Sequence, residues 1–112
     1  MLLPDPLSDE LVDLMARRFR AMGEPARIRL LDRLAHGEAS VNELADALGT
    51  SQQNVSKHLA VLADAAVVGR RKDGTRVYYR ICDTAVLGLC EQVCGSVQEH
   101  FRTLHALVEG TG

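Results

Sequence analysis

The feature that most constrains this chain is a pair of helix starts with a helix stop between them. Ser40-Val41-Asn42-Glu43 is a capping box, in which the hydroxyl and the carboxylate can each satisfy the other residue's exposed backbone N–H. Leu44, Ala45, Ala47 and Leu48 carry a short helix onward, and Gly49 can take the left-handed conformation that ends it. Thr50-Ser51-Gln52-Gln53 at once supplies a second cap of similar form, and Val55, Leu59 and Leu62 follow at i, i+4 and i+7. Two short helices joined by a tight turn containing glycine make a helix-turn-helix pattern.

The flanking segments extend it. From Ser8 to Met22, the residues Leu11, Leu14, Met15, Phe19 and Met22 recur at helical spacing, with Arg17, Arg18 and Arg20 among them, and Gly23 ends the run. Pro25 suits the first turn of a second helix, whose apolar side is Ile28, Leu30, Leu31 and Leu34 before Gly37. After Ala66 the period shortens. Val67 to Lys72 and Arg76 to Ile81 are strand-like runs around Asp73-Gly74-Thr75, a strong hairpin signal. Asp83 reads as the N-cap of a last helix of about 25 residues, ending near Glu109-Gly110. Its apolar stripe is Val86, Cys90, Val93, Val97, Phe101, Leu104 and Val108. So long a stripe on so short a chain is expected to meet a partner as well as its own core. The expected fold is mainly α with a small β-hairpin, a winged helix-turn-helix in the order α-α-α-α-β-β-α. The expected organisation is an arm over 1–7, one domain over 8–109 and a tail over 110–112.

Composition bounds the function. With 112 residues the chain has room for one domain, and 46% hydrophobic content disfavours wholesale disorder. No apolar run is long enough to span a membrane, and the acidic start, interrupted by Pro4 and Pro6, is unlike a signal peptide. A cytoplasmic location is expected. Three cysteines are too few and too clustered for a secreted disulfide framework, so reduced thiols are the default. No nucleophile has an oriented base beside it and no loop is long enough for a lid, which argues against an enzyme. The net charge of −2 disfavours indiscriminate polyanion binding, but its distribution is uneven. Residues 1–16 hold Asp5, Asp9, Glu10 and Asp13 with no Lys or Arg, whereas residues 67–80 hold Arg70, Arg71, Lys72, Arg76 and Arg80 against Asp73 alone.

That basic hairpin adjoins a polar helix face. Turning Val55, Leu59 and Leu62 inward leaves Gln53, Ser56, Lys57 and Ala60 outward, with Gln52, Asn54 and His58 at the margins. Side-chain amides pair with adenine, Ser and Lys suit base edges or phosphates, and a helix N-terminus attracts phosphate. The candidate contacts to double-stranded DNA are Ser51, Gln52, Gln53, Asn54, Ser56, Lys57, His58, Arg70, Arg71, Lys72 and Arg76. Residue by residue, the competing readings are a solvated helix face and charged protection of an edge strand. A winged helix used for protein–protein contact is the competing class. Tyr78 and Tyr79 alternate faces, so one of them is expected to pack inward.

Three stretches, Gly23-Glu24-Pro25-Ala26-Arg27-Ile28-Arg29-Leu30-Leu31, Ser40 to Leu62, and Asp73 to Arg80, resemble the ArsR/SmtB family of bacterial winged-helix repressors. Glu24 stands where Asp is common before the Pro. The resemblance implies a homodimer through the first and last helices and a pseudo-palindromic operator read by two recognition helices. It also implies release by an effector. One metal site of the family needs Cys where this chain has Ser40 and Asn42. Another needs Asp-x-His and His-x-x-Glu where it has Asp83, Ala85, Ser96 and Glu99. Neither is complete. What remains is Cys82, Cys90 and Cys94, the latter two on one side of the last helix. Thiolates suit arsenite or mercuric ion, or cadmium or zinc with a fourth ligand. His100 and His105 could extend such a site, whereas His36 and His58 read as surface residues. A persulfide or disulfide switch uses the same thiols, and plain packing of Cys90 in the stripe is the bland alternative.

Overall fold

The computed structural model describes residues 3–110. Met1 and Leu2 of the expected arm, and Thr111 and Gly112 of the expected tail, lie outside them. The elements run α1 (Asp9–Met22), α2 (Pro25–Leu34), β1 (Ala39–Ser40), α3 (Val41–Leu48), α4 (Gln52–Asp64), β2 (Val68–Asp73), β3 (Arg76–Ile81) and α5 (Thr84–Gly110). The winged helix-turn-helix is therefore present, with one element added to the expected order. β1 pairs antiparallel with β3 (Ala39 opposite Tyr79, Ser40 opposite Tyr78), making a three-stranded sheet ordered β1-β3-β2. Two residues are too few to show a period of two, and their partner lies far along the chain.

The helix ends follow from local chemistry. Ser8 Oγ accepts from Leu11 N at 3.1 Å, with Asp9 and Glu10 at the positive end of α1. The capping box of α3 closes in both directions, Glu43 N to Ser40 Oγ and Ser40 N to Glu43 Oε1, each at 3.1 Å. These bonds also hold the Glu43 carboxyl below its usual range. Gly49, at φ 66°, ends α3. The cap of α4 is Ser51, one residue later than the start suggested by Thr50: its Oγ accepts from Asn54 N at 3.1 Å. Thr50 Oγ1 instead accepts from Asn54 Nδ2.

α4 ends in a Schellman turn, Val67 N to Leu62 O and Ala66 N to Ala63 O, both at 3.0 Å. The residue held left-handed there is Ala66, at φ 60°, where glycine is usual. Ala66 is exposed, so removing its Cβ opens no cavity. Ala66→Gly is expected to stabilise the protein by about 0.5–1 kcal/mol, the relief of left-handed strain exceeding the entropy glycine gains when unfolded. A melting temperature that fell would show that the turn carries no such strain.

The core lies where α2, α3 and α4 meet the root of the sheet. Leu30, Leu31, Leu44, Val55, Leu59, Leu62 and Val67 are all fully buried, with Val68 and Tyr79 beside them. Of the adjacent tyrosines Tyr79 is the inward one, while Tyr78 is half-buried under the Arg71 guanidinium, 4.7 Å from its ring centroid.

α5 departs from this body. Its 27 residues extend about 40 Å at 1.5 Å each. Of the expected stripe only Val86 is buried and Cys90 half-buried; Val93, Val97, Phe101, Leu104 and Val108 are exposed, as are Val12, Leu14 and Phe19 of α1. Among the described residues no helix is long and apolar enough to cross a membrane.

Candidate nucleic-acid interface

α4 presents the face its periodicity requires. Val55 and Leu59 are buried, Ser51, Gln52, Gln53, Ser56, Lys57 and Ala60 are exposed, and Asn54 and His58 are half-buried. The two marginal residues are tethered. Asn54 spends one N–H on Thr50 Oγ1 at 3.1 Å. His58 Nδ1 lies 3.3 Å from Arg27 Nη1. Arg27 has no acceptor to offer, so Nδ1 accepts and Nε2 is the ring nitrogen left to face outward. The same guanidinium donates through Nε to Ala21 O at 2.5 Å and through Nη2 to Arg20 O at 3.3 Å, satisfying the last carbonyls of α1. Arg27 thereby fixes α2, the end of α1 and α4 together. Sequence reasoning missed this role, since nothing local marks an Arg whose partners lie on two other elements. Gln52, Gln53 and Lys57 have no side-chain hydrogen bond or ion pair to another described residue.

In the hairpin, strand alternation divides the charge. Arg70 stands opposite Tyr79 and Lys72 opposite Val77, on the face whose root is core. Arg71 stands opposite Tyr78 and Asp73 opposite Arg76, on the other face, which Arg80 shares. The four candidate cations therefore do not form one patch. Nor are they equally free. Arg71 is held by Glu38 in a two-pronged pair, Nε to Oε2 at 3.1 Å and Nη2 to Oε1 at 2.5 Å, with Asp73 at 3.9 Å. That bond pulls the Glu38 carboxyl below its usual range and raises the Arg71 guanidinium. Arg70, Lys72 and Arg76 make no ion pair to another described residue.

The cysteines are not gathered. Cys82 is exposed, and its thiol donates to Ala66 O at 3.4 Å. Cys90 packs against the core, and burial pushes its thiol pKa up, which favours the protonated form. Cys94 is exposed. Among the described residues no three His, Cys, Asp or Glu side chains form a group that could hold a metal ion. One subunit thus does not assemble the expected three-thiol site. His100, and His105 with its 3.8 Å contact to Glu109, are exposed on α5. Asp83 has both oxygens in use, Oδ1 accepting from Ala85 N at 3.1 Å and Oδ2 from Arg18 Nη1 at 2.7 Å.

A family model described as a helix-turn-helix domain matches residues 22–70. The transcriptional regulator KmtR of Mycobacterium tuberculosis is 45% identical over 70% of this chain, although the match spans only 60% of that protein's length. A transcriptional repressor SmtB homolog of Synechocystis is 35% identical over 86% of this chain and 73% of its own. Among solved structures, the homodimeric winged helix-turn-helix DNA-binding domain of Mycobacterium bovis Mb0332, a possible ArsR-family regulator, superposes with a TM-score of 0.78. It is 34% identical and covers 89% of this chain and 95% of its own. The antimony-specific transcriptional repressor AntR gives 0.77, at 30% identity over 88% of this chain and 90% of its own. The polar face of α4, the adjoining basic hairpin and these likenesses agree: the chain belongs to the ArsR/SmtB family of winged helix-turn-helix transcriptional regulators.

Proposed function

We propose that this chain is a homodimeric repressor that binds a pseudo-palindromic DNA operator and is released by a thiophilic metal or metalloid ion. The observation that carries the DNA reading is the exposed Gln52, Gln53, Ser56 and Lys57 face on a helix whose opposite side is fully buried. Free amides above a compact apolar anchor are suited to base edges in a major groove, and Lys57, Arg70, Lys72 and Arg76 to the flanking phosphates. Ser51 and Asn54 sit at the helix start, where backbone N–H groups favour a phosphate. The relatives named as repressors, one of them antimony-specific, support the same reading.

For the effector, Cys90 and Cys94 lie one helical turn apart near the start of the protruding α5. Two thiols of one subunit, completed by groups from the second, suit a soft ion better than any oxygen-rich set in the chain. Metal binding must then deprotonate Cys90 against its raised pKa, so occupancy is expected to strengthen as pH rises.

A mobility-shift titration tests both halves. Wild-type protein under reducing conditions is expected to bind a selected operator with steep salt dependence. Mercuric, cadmium or zinc ions or arsenite should then release it. The Cys90→Ser, Cys94→Ser double variant should bind the same DNA and resist release. If each of these ions, and peroxide or persulfide besides, releases the double variant as it does the wild type, the thiol site is wrong. Absence of any salt-dependent DNA binding would point to a protein-interaction module.

A further inference from the structure

We propose that Arg18 is a positioning residue that ties the end of the reading helix to the start of α5, so that the dimer sets the reading helix's angle. This rests on the DNA-binding reading above. Arg18 lies on α1 and reaches two elements at once. Its Nε donates to Ala65 O at 3.3 Å, a carbonyl left without a helical partner where α4 ends. Its Nη1 donates to Asp83 Oδ2 at 2.7 Å, while Asp83 Oδ1 caps α5 through Ala85 N.

The segment around Asp83 is joined to the same turn by two further bonds. Cys82 N donates to Val67 O at 3.1 Å, and Cys82 Sγ to Ala66 O at 3.4 Å. Three consecutive carbonyls, of Ala65, Ala66 and Val67, are therefore all held by Arg18 or Cys82. The turn between them contains the left-handed Ala66. Few other contacts run from α5 to the body: among its described residues Val86 alone is buried, Leu87 and Cys90 are half-buried, and every residue from Glu91 to Glu109 is exposed. A cavity of about 150 Å³, lined by Met15, Phe19, Met22, Val86 and Leu89, opens beside the Arg18–Asp83 pair. α1 and α5 thus leave a gap there, and the polar bridge adds to the packing of Val86 and Cys90 on the core in relating α5 to α4. A shift of α5 is transmitted to α4 through these bonds, and a planar guanidinium transmits it because its two donating nitrogens are rigidly related.

The test is discrimination of half-site spacing, which a residue that merely capped α4 would not alter. An operator is first selected from a random DNA library by the wild-type protein. Versions with one, two or five base pairs inserted between the half-sites are then titrated. Wild type is expected to lose about 100-fold in affinity with two inserted pairs, since the half-sites turn away from a fixed dimer. Arg18→Met should lose only about tenfold, while its dimerisation by sedimentation is unchanged. Asp83→Asn keeps an oxygen to cap α5 and leaves the Arg18–Ala65 bond in place, but presents an amide N–H₂ to the guanidinium; it should show the same relaxed spacing. Arg18→Lys, whose donors all sit on one nitrogen that must serve both acceptors, should fall between.

If Asp83→Asn matches wild type while Arg18→Met does not, Arg18 is only a cap and the proposal is overturned. Equal spacing profiles for all three variants and wild type overturn it as well, with DNA binding intact. A library from which wild type enriches no sequence overturns the DNA-binding reading itself, and this one with it.

Discussion

Val97→Glu is expected to convert the protein to a monomer and to weaken operator binding by at least about 1,000-fold. Val97 lies mid-way along α5, 48% exposed, with Val93 and Phe101 exposed to either side. In a two-fold interface each residue acts twice, so one substitution removes the burial of two half-exposed valines, roughly 1.5–3 kcal/mol. It also places two like carboxylates in an apolar seam, where each costs several kcal/mol more unless protonated. Against 1.4 kcal/mol per tenfold, a loss of about 4 kcal/mol already raises the dimer dissociation constant about 1,000-fold. The subunit itself should survive. Val97 contributes nothing to the core of Leu30, Leu31, Leu44, Leu59 and Leu62, so helical content should be unchanged. Sedimentation at micromolar concentration is the direct measurement. A variant that stays dimeric would place the interface elsewhere and leave the α5 stripe without its assigned partner.

Much of this was legible in the residues, and the parts that were not share a cause. The capping box at Ser40, the stop at Gly49 and the Asp73-Gly74 hairpin depend on groups within a few positions of each other, and all appear as expected. So does the polar face of α4, because a period of 3.6 with three buried aliphatic residues leaves one solution. β1 was missed, since its partner Tyr79 is forty residues away and its two residues show no pattern. Arg18, Arg27 and Glu38 were missed as positioning groups for the same reason: each acts across elements. Counting charges along the hairpin gives one basic segment and not where each cation sits. Alternation along the strands splits it between two faces, and Glu38, from the segment before β1, claims Arg71. The three-thiol site was inferred from spacing alone. Cys82 and Cys90 belong to different surroundings once folded, one bonded to Ala66 O and the other against the core.

Lys57→Glu should cost about 100-fold or more in operator affinity without disturbing the fold. Lys57 is exposed on α4 and makes no ion pair with another described residue, so its charge is available to a phosphate in a way that of Arg71 is not. Each phosphate neutralised contributes about 0.9 to the slope of log affinity against log salt. In a dimer Lys57→Ala should therefore flatten that slope by about two, and the weakening should be similar on matched and mismatched operators. Reversal to Glu adds repulsion, so its deficit should exceed that of Ala at low salt and approach it as salt screens both. The hairpin gives the internal control. Arg76→Ala should behave like Lys57→Ala, whereas Arg71→Ala should change the slope less, because Glu38 already neutralises that guanidinium. Glu38→Gln should then enhance binding, by releasing Arg71 and removing a negative charge beside the duplex. If Arg71→Ala proves as damaging as Arg76→Ala, the Glu38 pair must break on binding DNA. A Lys57→Glu variant with the salt slope and affinity of wild type would mean that α4 does not face the phosphates at all.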